Sequence, residues 1–154
     1  MARQITLAEV LKNRDKQFPN EYNKTIEMNL LKTIQAVDEF LSDYTGKIVV
    51  TSGRRDSYSN KLAGGAPNSC HLLGLALDLQ DKNGDLRKYI LKNLEKAQTL
   101  GIFFEDFRST PIWAHCQISP PKSGHRIYIP NTLPFKDPNL WDGVYDHKYD
   151  LVTH

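Results

Sequence analysis

The sequence predicts an α+β domain in which helices flank a small, mostly antiparallel sheet. Apolar residues recur at helical spacing from Ile26 to Leu41 and again from Leu86 to Ala97, which is typical of amphipathic helices. Short β-branched or alternating runs, separated by Gly and Pro, are typical of strands. A chain of 154 residues that is 40% apolar and 25% charged has the size and balance of one domain. We therefore interpret residues 1–154 as a single domain.

Three helical segments are predicted. Thr6 is a suitable N-cap for a short helix over residues 6–16. A second helix is expected over residues 26–41, and these first two helices are interpreted as scaffold. A third helix is expected over residues 85–100, where Gly101 provides the stop.

Strands are predicted in the middle of the chain and after the third helix. The first, residues 47–51 (KIVVT), ends at a Ser-Gly pair. It leads into residues 54–69, which are rich in Ser, Asn, Gly and Pro and are expected to form a loop or a broken helix. The further strands are expected over residues 74–80, 102–104, 112–118 and, at the sheet edge, 126–129. The final segment, residues 131–154, has no clear period and is interpreted as a C-terminal extension.

The charge pattern favours an anionic partner other than nucleic acid. The net charge is +2, and the segment from Asn131 has four Asp against two Lys, so residues 1–130 carry about +4. This excess is too small to indicate nucleic-acid binding. The sequence contains no apolar run of roughly 18 residues, and its N-terminus is charged rather than signal-like. We therefore expect a chain that is made in the cytoplasm without a signal peptide and does not insert into membranes.

The two cysteines, Cys70 and Cys116, are too few for a disulfide framework. Free thiols are expected in a chain without a signal peptide. Each cysteine is adjacent to a histidine, so on a strand its side chain would point away from that histidine, into packing. No feature of the sequence indicates an interface, and a monomer is expected.

Two histidines and an aspartate are the strongest candidates for chemistry. His71 precedes a predicted strand, and Asp78 lies within that strand between two leucines. An unpaired carboxylate there would be costly to bury, and a metal ion removes that cost. His115, in another predicted strand, supplies a third donor of the kind that hydrolytic zinc sites use. Singly, His71 could cap a turn, Asp78 could pair with Arg55 and His115 could face solvent, but their joint spacing favours a metal site.

Four short motifs occur in a fixed order: Ser52-Gly53-Arg54-Arg55, Ser69-Cys70-His71, Gly74-Leu75-Ala76-Leu77-Asp78 and Trp113-Ala114-His115. Together they resemble the zinc D-alanyl-D-alanine carboxypeptidases and the phage endolysin L-alanyl-D-glutamate peptidases, which share the hedgehog/DD-peptidase fold. The resemblance covers residues 47–119, about half of the chain. It implies one Zn²⁺ ion per chain, held by His71, Asp78 and His115, and peptidoglycan stem peptides as the substrate.

The resemblance also implies roles for three further residues. Arg55 would stabilise a developing oxyanion or bind a substrate carboxylate, which suits its permanent charge and forked donors. The alternative for Arg55 is an ion pair with an acid such as Asp56 or Asp78. Ser69 would contact the substrate backbone or serve only as a turn residue. Trp113 would form a wall of the site or serve packing alone.

The sequence departs from this family at the general base. The better-known members carry a carboxylate three residues before the second histidine, where this chain has Ile112. Proton transfer to the leaving amine still needs an acid/base group. The closest acids in the sequence are Glu105 and Asp106, and strand alternation lets only one of them face the site. We predict that one of the two is the base; the alternative is that both are solvated or pair with Arg108.

These observations predict a zinc-dependent peptidase of the D-Ala-D-Ala carboxypeptidase or L-Ala-D-Glu endopeptidase type. A phage endolysin or virion wall-degrading enzyme, which would act on the cell wall or in the periplasm after membrane permeabilisation, fits the small single domain. Two alternatives stay open. One is a catalytically weak, zinc-stabilised peptide-binding module, which Ile112 allows, and the other is a cytosolic D-Ala-D-Ala dipeptidase.

Overall fold

Five strands form one mixed sheet at the centre of the computed structural model, which describes residues 5–63 and 69–129. The strands are β1 (Val50–Ser52), β2 (Ala76–Gln80), β3 (Phe103–Glu105), β4 (Trp113–Gln117) and β5 (Ile127–Tyr128). Their spatial order is β1-β2-β4-β3-β5. The β3–β5 pairing is parallel and the other pairings are antiparallel, which confirms the predicted α+β class with a mostly antiparallel sheet. The predicted extension over residues 131–154 lies outside the described residues.

Six α-helices flank the sheet in the described part of the chain. They are α1 (Leu7–Leu11), α2 (Arg14–Gln17), α3 (Lys24–Phe40), α4 (Ser57–Leu62), α5 (Asp85–Lys92) and α6 (Leu94–Leu100). Two 3₁₀-helices, Pro19–Glu21 and Cys70–Leu73, complete the helical segments. No helix among residues 5–63 and 69–129 combines the length and the hydrophobicity that crossing a bilayer requires.

Two of the predicted helices are interrupted. Thr6 caps the first as expected, in a capping box with Glu9, but α1 ends after five residues because Lys12 and Asn13 adopt left-handed backbone conformations. The predicted helix over residues 85–100 is likewise two helices, broken at Asn93. The Asn93 side chain donates a hydrogen bond to the carbonyl of Tyr89, so it competes with the backbone for an acceptor in the last turn of α5.

Helix α3 covers one face of the sheet. Its Leu30, Val37 and Phe40 are buried in the same core as Leu77 and Leu79 of β2. Side chains alternate between the two faces of a strand, so the residue between those leucines, at position 78, projects from the opposite face. Burial of the apolar residues therefore fixes which face of the sheet carries polar side chains.

The loop after β1 is locked against the helical layer. The backbone amide of Arg54 donates to the carbonyl of Val10 at 3.0 Å. The buried Arg54 side chain donates to the carbonyls of Leu72 and Glu21, so it joins the loop to both 3₁₀-helices. The Thr33 hydroxyl of α3 donates to the carbonyl of Gly74 at 2.8 Å. These bonds hold the 3₁₀-helix Cys70–Leu73 in a fixed position above the edge of the sheet.

Candidate metal centre

The register of the sheet aligns three polar residues in one row. Ser52 of β1 pairs with Asp78 of β2, and Asp78 pairs with His115 of β4. Residues that pair across neighbouring strands project from the same face, so the Asp78 and His115 side chains meet there. His71 lies beside this row, although it comes from the 3₁₀-helix that precedes β2 and not from the sheet.

His71, Asp78 and His115 converge on one point. One ligand atom from each of them lies within 4.8 Å of the others, and this triad is the described group that could hold a metal ion. Nε2 of His71 is 3.3 Å from Oδ2 of Asp78, and Nδ1 of His115 is 2.9 Å from Oδ1. All three residues are buried, with exposed fractions of 2%, 7% and 6%. The structure therefore brings together the three residues that the sequence predicts as ligands.

A backbone carbonyl sets the orientation of His71. Its Nδ1 lies 2.8 Å from the carbonyl oxygen of Gly53, an atom that can only accept, so Nδ1 carries the proton. The lone pair of Nε2 then points at Asp78 and the centre of the triad. Ser69 caps this 3₁₀-helix, because its hydroxyl accepts from the His71 amide at 3.2 Å. The predicted contact of Ser69 with a substrate stays a prediction.

Arg55 holds the carboxylate of Asp78 from the side away from His115. Its Nη2 donates to Oδ2 of Asp78 at 3.2 Å, and both side chains are largely buried. Its Nε donates to the Ser52 hydroxyl and its Nη1 to Oδ1 of Asn60. The ion pair with Asp78 that the sequence offered as an alternative is thus present, and the predicted role of Arg55 toward an oxyanion or a substrate carboxylate stays a prediction.

The electrostatics of the triad favour an ionised aspartate and a protonated histidine in the metal-free protein. Burial alone would raise the pKa of Asp78, but His71 and His115 outweigh it and hold that pKa well below its usual range. Burial alone would lower the pKa of His115, whereas the charges of Glu105 and Asp78 raise it to about 9. A metal that binds Nδ1 of His115 must therefore displace a proton.

The two candidate bases face different partners. Oε1 of Glu105 lies 3.9 Å from Nε2 of His115, and the Glu105 side chain is partly exposed. Asp106 is buried and pairs with Arg108, whose Nε and Nη2 each lie 2.9 Å from one of its carboxylate oxygens. For Asp106 the structure thus has the Arg108 pairing that the sequence left open as the alternative. Ile112, at the position of the usual base, exposes 58% of its surface.

Trp113 and the two cysteines occupy three different environments. Trp113 is partly buried on β4, two residues from His115 and therefore on the same face of the strand.

Cys116 is buried in the apolar core, as predicted. Cys70 is only partly buried and hydrogen-bonds with Ser119, so the prediction that it points into packing is wrong. The reason is that Cys70 lies in a 3₁₀-helix, where neighbouring side chains do not alternate between two faces. Both thiols are free, as expected.

Sequence reasoning missed two residues beside the triad, Gln117 and Tyr128. Oε1 of Gln117 lies 2.8 Å from Nε2 of His115, and the Tyr128 hydroxyl donates to the same oxygen at 2.6 Å. Strand alternation was a usable signal for Gln117, since it is two residues after His115. The sequence contained no such signal for Tyr128, which reaches the site through the parallel β3–β5 pairing.

Close packing beneath the site leads to a first prediction. A Cβ on Gly53 would lie 2.2 Å from the carbonyl oxygen of Val10, so Gly53→Ala must shift backbone. We expect a loss of about 1–3 kcal/mol in the free energy of unfolding, measured by urea denaturation. Because the Gly53 carbonyl orients His71, zinc affinity should fall about 10–100-fold as well. Gly46→Ala is the control, since its added methyl would meet the side chain of Tyr44; equal effects of the two changes would contradict the prediction.

The donor set fits zinc. Two imidazole nitrogens and one carboxylate are ligands that zinc accepts, and three protein ligands leave a position open for chemistry. The second nitrogen of each imidazole faces an oxygen acceptor, which is the usual outer partner of a metal-bound histidine. A small α+β domain that presents this arrangement defines a candidate metalloprotein with a hydrolytic type of ligand set.

Comparison with known families leads to the same class. The family described as Peptidase M15 matches residues 4–117, about three quarters of the chain. The chain therefore belongs to the peptidase M15 family, which implies a metallopeptidase that uses zinc. A search of curated proteins finds no match.

Proposed function

We propose that this protein is a zinc peptidase that hydrolyses peptide bonds in the stem peptides of peptidoglycan, as a D-Ala-D-Ala carboxypeptidase or an L-Ala-D-Glu endopeptidase. The observation that carries the proposal is the convergence of His71, Asp78 and His115 in a chain of the M15 family. The proposal includes one zinc ion per chain, with Nε2 of His71, the carboxylate of Asp78 and Nδ1 of His115 as ligands. A monomeric phage endolysin or virion-associated enzyme is the setting that we propose for this activity.

Glu105 is the general base in this proposal. Zinc, when bound, supplies a Lewis acid that polarises the scissile carbonyl and lowers the pKa of the attacking water. Glu105 accepts a proton from that water as the C–O bond forms and returns it to the nitrogen as the C–N bond breaks, so the products are a carboxylate and an amine. Its partly exposed carboxylate lies 3.9 Å from Nε2 of His115.

The remaining residues of the site would bind and orient the peptide. Arg55 holds Asp78 in place and has further N–H groups that would face an oxyanion or a substrate carboxylate. Ser69, which caps the 3₁₀-helix of His71, would hydrogen-bond the substrate backbone. Trp113, on the same strand face as His115, would form one wall of the cleft.

Hydrolysis of purified peptidoglycan tests the proposal. Zinc-loaded protein is expected to release new muropeptide ends, and mass analysis of the products identifies which bond is cut. Stoichiometric zinc binding without any cleavage would instead support a peptide-binding module. Cleavage of free D-Ala-D-Ala, with intact peptidoglycan left uncut, would instead support a cytosolic dipeptidase. Lysis of cells only after membrane permeabilisation would support the endolysin setting.

The apparent zinc affinity is expected to depend on pH. His115 has a pKa of about 9 in the metal-free protein, and its proton competes with zinc for Nδ1 below that pH. Affinity should therefore rise roughly tenfold per pH unit from about pH 7 to about pH 9 and then level off, since one proton is released. Chelator competition across this range measures it.

Glu105→Gln provides the matched control for that pH dependence. Glu105 raises the pKa of His115, so removing its charge should move the plateau to lower pH. An affinity that is constant over the whole range in both proteins would contradict the assignment of His115 as a ligand.

A further inference from the structure

Gln117 and Tyr128 meet at the nitrogen of His115 that faces away from Asp78. Oε1 of Gln117 lies 2.8 Å from Nε2 of His115, and the Tyr128 hydroxyl lies 2.6 Å from that same oxygen. Both residues are buried, with exposed fractions of 4% and 8%. Tyr128 lies beyond residue 117, where the family match ends. The contact therefore connects β5 to the candidate metal centre.

The orientation of the Gln117 amide follows from its other neighbour. Its Nε2 lies 2.6 Å from the backbone carbonyl of Ser119, which can only accept a hydrogen bond. A flipped amide would place two oxygens against each other at that distance. Oε1 is therefore fixed on the side of His115, and a ring nitrogen facing that oxygen must carry a proton.

Tyr128 strengthens this arrangement. Its hydroxyl has a single hydrogen, and Oε1 of Gln117 at 2.6 Å is a much closer acceptor than Oε1 of Glu105 at 3.5 Å. The hydroxyl therefore donates to the amide oxygen and holds it against Nε2 of His115. With the proton kept on Nε2, the lone pair of a neutral His115 lies on Nδ1, which faces Asp78.

We infer that Gln117 and Tyr128 are a positioning pair that commits His115 to ligate a metal through Nδ1. This inference rests on the proposed zinc site and adds two residues to it. A histidine that is held in its binding rotamer, with Nε2 already protonated, needs only to lose the Nδ1 proton when the ion arrives and needs no rotation of its ring. Loss of the pair should therefore weaken metal binding even though neither side chain would touch the ion.

Zinc affinity and proton exchange test the pair in the full-length protein. Gln117→Met keeps the length of the side chain and removes the three hydrogen bonds of the amide, to His115, Ser119 and Tyr128. We expect the zinc dissociation constant, measured by chelator competition, to rise about 10–100-fold. This is the typical effect of removing a residue that hydrogen-bonds to a metal ligand. In NMR spectra, the Nε2 proton of His115 should exchange slowly in the wild type and rapidly in this variant.

Three further variants serve as rescue, second test and control. Gln117→Glu keeps an oxygen acceptor for His115 but replaces the N–H that donates to the Ser119 carbonyl with a second oxygen, so it should restore the slow proton and only part of the affinity. Tyr128→Phe removes one hydroxyl, so it should weaken zinc binding and speed exchange even if Gln117→Met fails to fold. Gln98→Met makes the same chemical change on the exposed surface of α6 and should match the wild type.

The outcomes separate this inference from the proposed function. Wild-type zinc affinity and a slow Nε2 proton in both Gln117→Met and Tyr128→Phe would overturn the positioning pair. If His115→Ala loses zinc in the same experiment, the proposed metal site stands and only the pair fails. If His115→Ala binds zinc as tightly as the wild type, the proposed site itself is wrong.

Discussion

Glu105→Gln is expected to keep its zinc and its fold while losing about 10²–10⁴-fold in the rate of peptidoglycan cleavage, the range typical of a lost general base. The amide has almost the same shape as the carboxylate but cannot accept a proton. Glu105 lies outside the triad, with Oε1 3.9 Å from Nε2 of His115, so its replacement removes no ligand. Zinc content and the rate of muropeptide release, measured on the same preparation, give the result.

A second role for Glu105 predicts a different outcome. If its carboxylate acts only as a charge partner of His115, its removal should alter the pH dependence of zinc affinity and leave the rate at saturating zinc at the wild-type level. Asp106→Asn is the matched control. Because Asp106 pairs with Arg108 away from the triad, this change should lower stability and leave the rate at saturating zinc unchanged. Wild-type rates in both variants would show that neither acid is the base.

His71→Ala is expected to abolish both metal binding and cleavage. The change removes a nitrogen that lies 3.3 Å from the Asp78 carboxylate and leaves two protein ligands, fewer than the three that a catalytic zinc site uses. The zinc dissociation constant should rise by more than the factor of about 100 that marks the loss of an outer partner. Equilibrium dialysis followed by metal analysis gives the value.

His125→Ala is the control for that experiment. His125 lies in the loop before β5 and outside the triad, so the change should leave zinc content and rate at wild-type levels. Full zinc occupancy and full rate in His71→Ala would contradict the assignment of the ligands. Loss of zinc in both variants would point to a general effect of removing histidines rather than to the triad.

Strand patterns pointed to two residues of the triad, and the resemblance to a known family supported the third. Asp78 lies between two leucines in a short strand, so alternation alone places it on the face opposite the core. His115 lies in a second strand with the same kind of pattern, and the sheet pairs the two residues directly. His71 was predictable because the motif that contains it resembles a known family, and the close approach of its ring to Asp78 depends on the 3₁₀-helix that precedes β2.

The residues around the triad were harder to predict, because their positions depend on pairings between distant segments. Which of Glu105 and Asp106 lies near His115 depends on the path of β3 beside β4, which directs one acid toward His115 and leaves the other with Arg108. Tyr128 lies in the edge strand that the sequence predicts, but no local pattern indicates that this strand pairs in parallel with β3. Helical periodicity does not reveal the break at Asn93, where the side chain donates to the carbonyl of Tyr89.

Crystals of the zinc-loaded protein, measured with X-rays at the zinc absorption edge, test the central claim most directly. The account predicts one anomalous peak per chain, bounded by Nε2 of His71, the carboxylate of Asp78 and Nδ1 of His115. The Nε2 atom of His115 should face Gln117, as it does in the structure. A zinc peak elsewhere on the chain, with the triad still closed by the hydrogen bond between His115 and Asp78, would contradict the account.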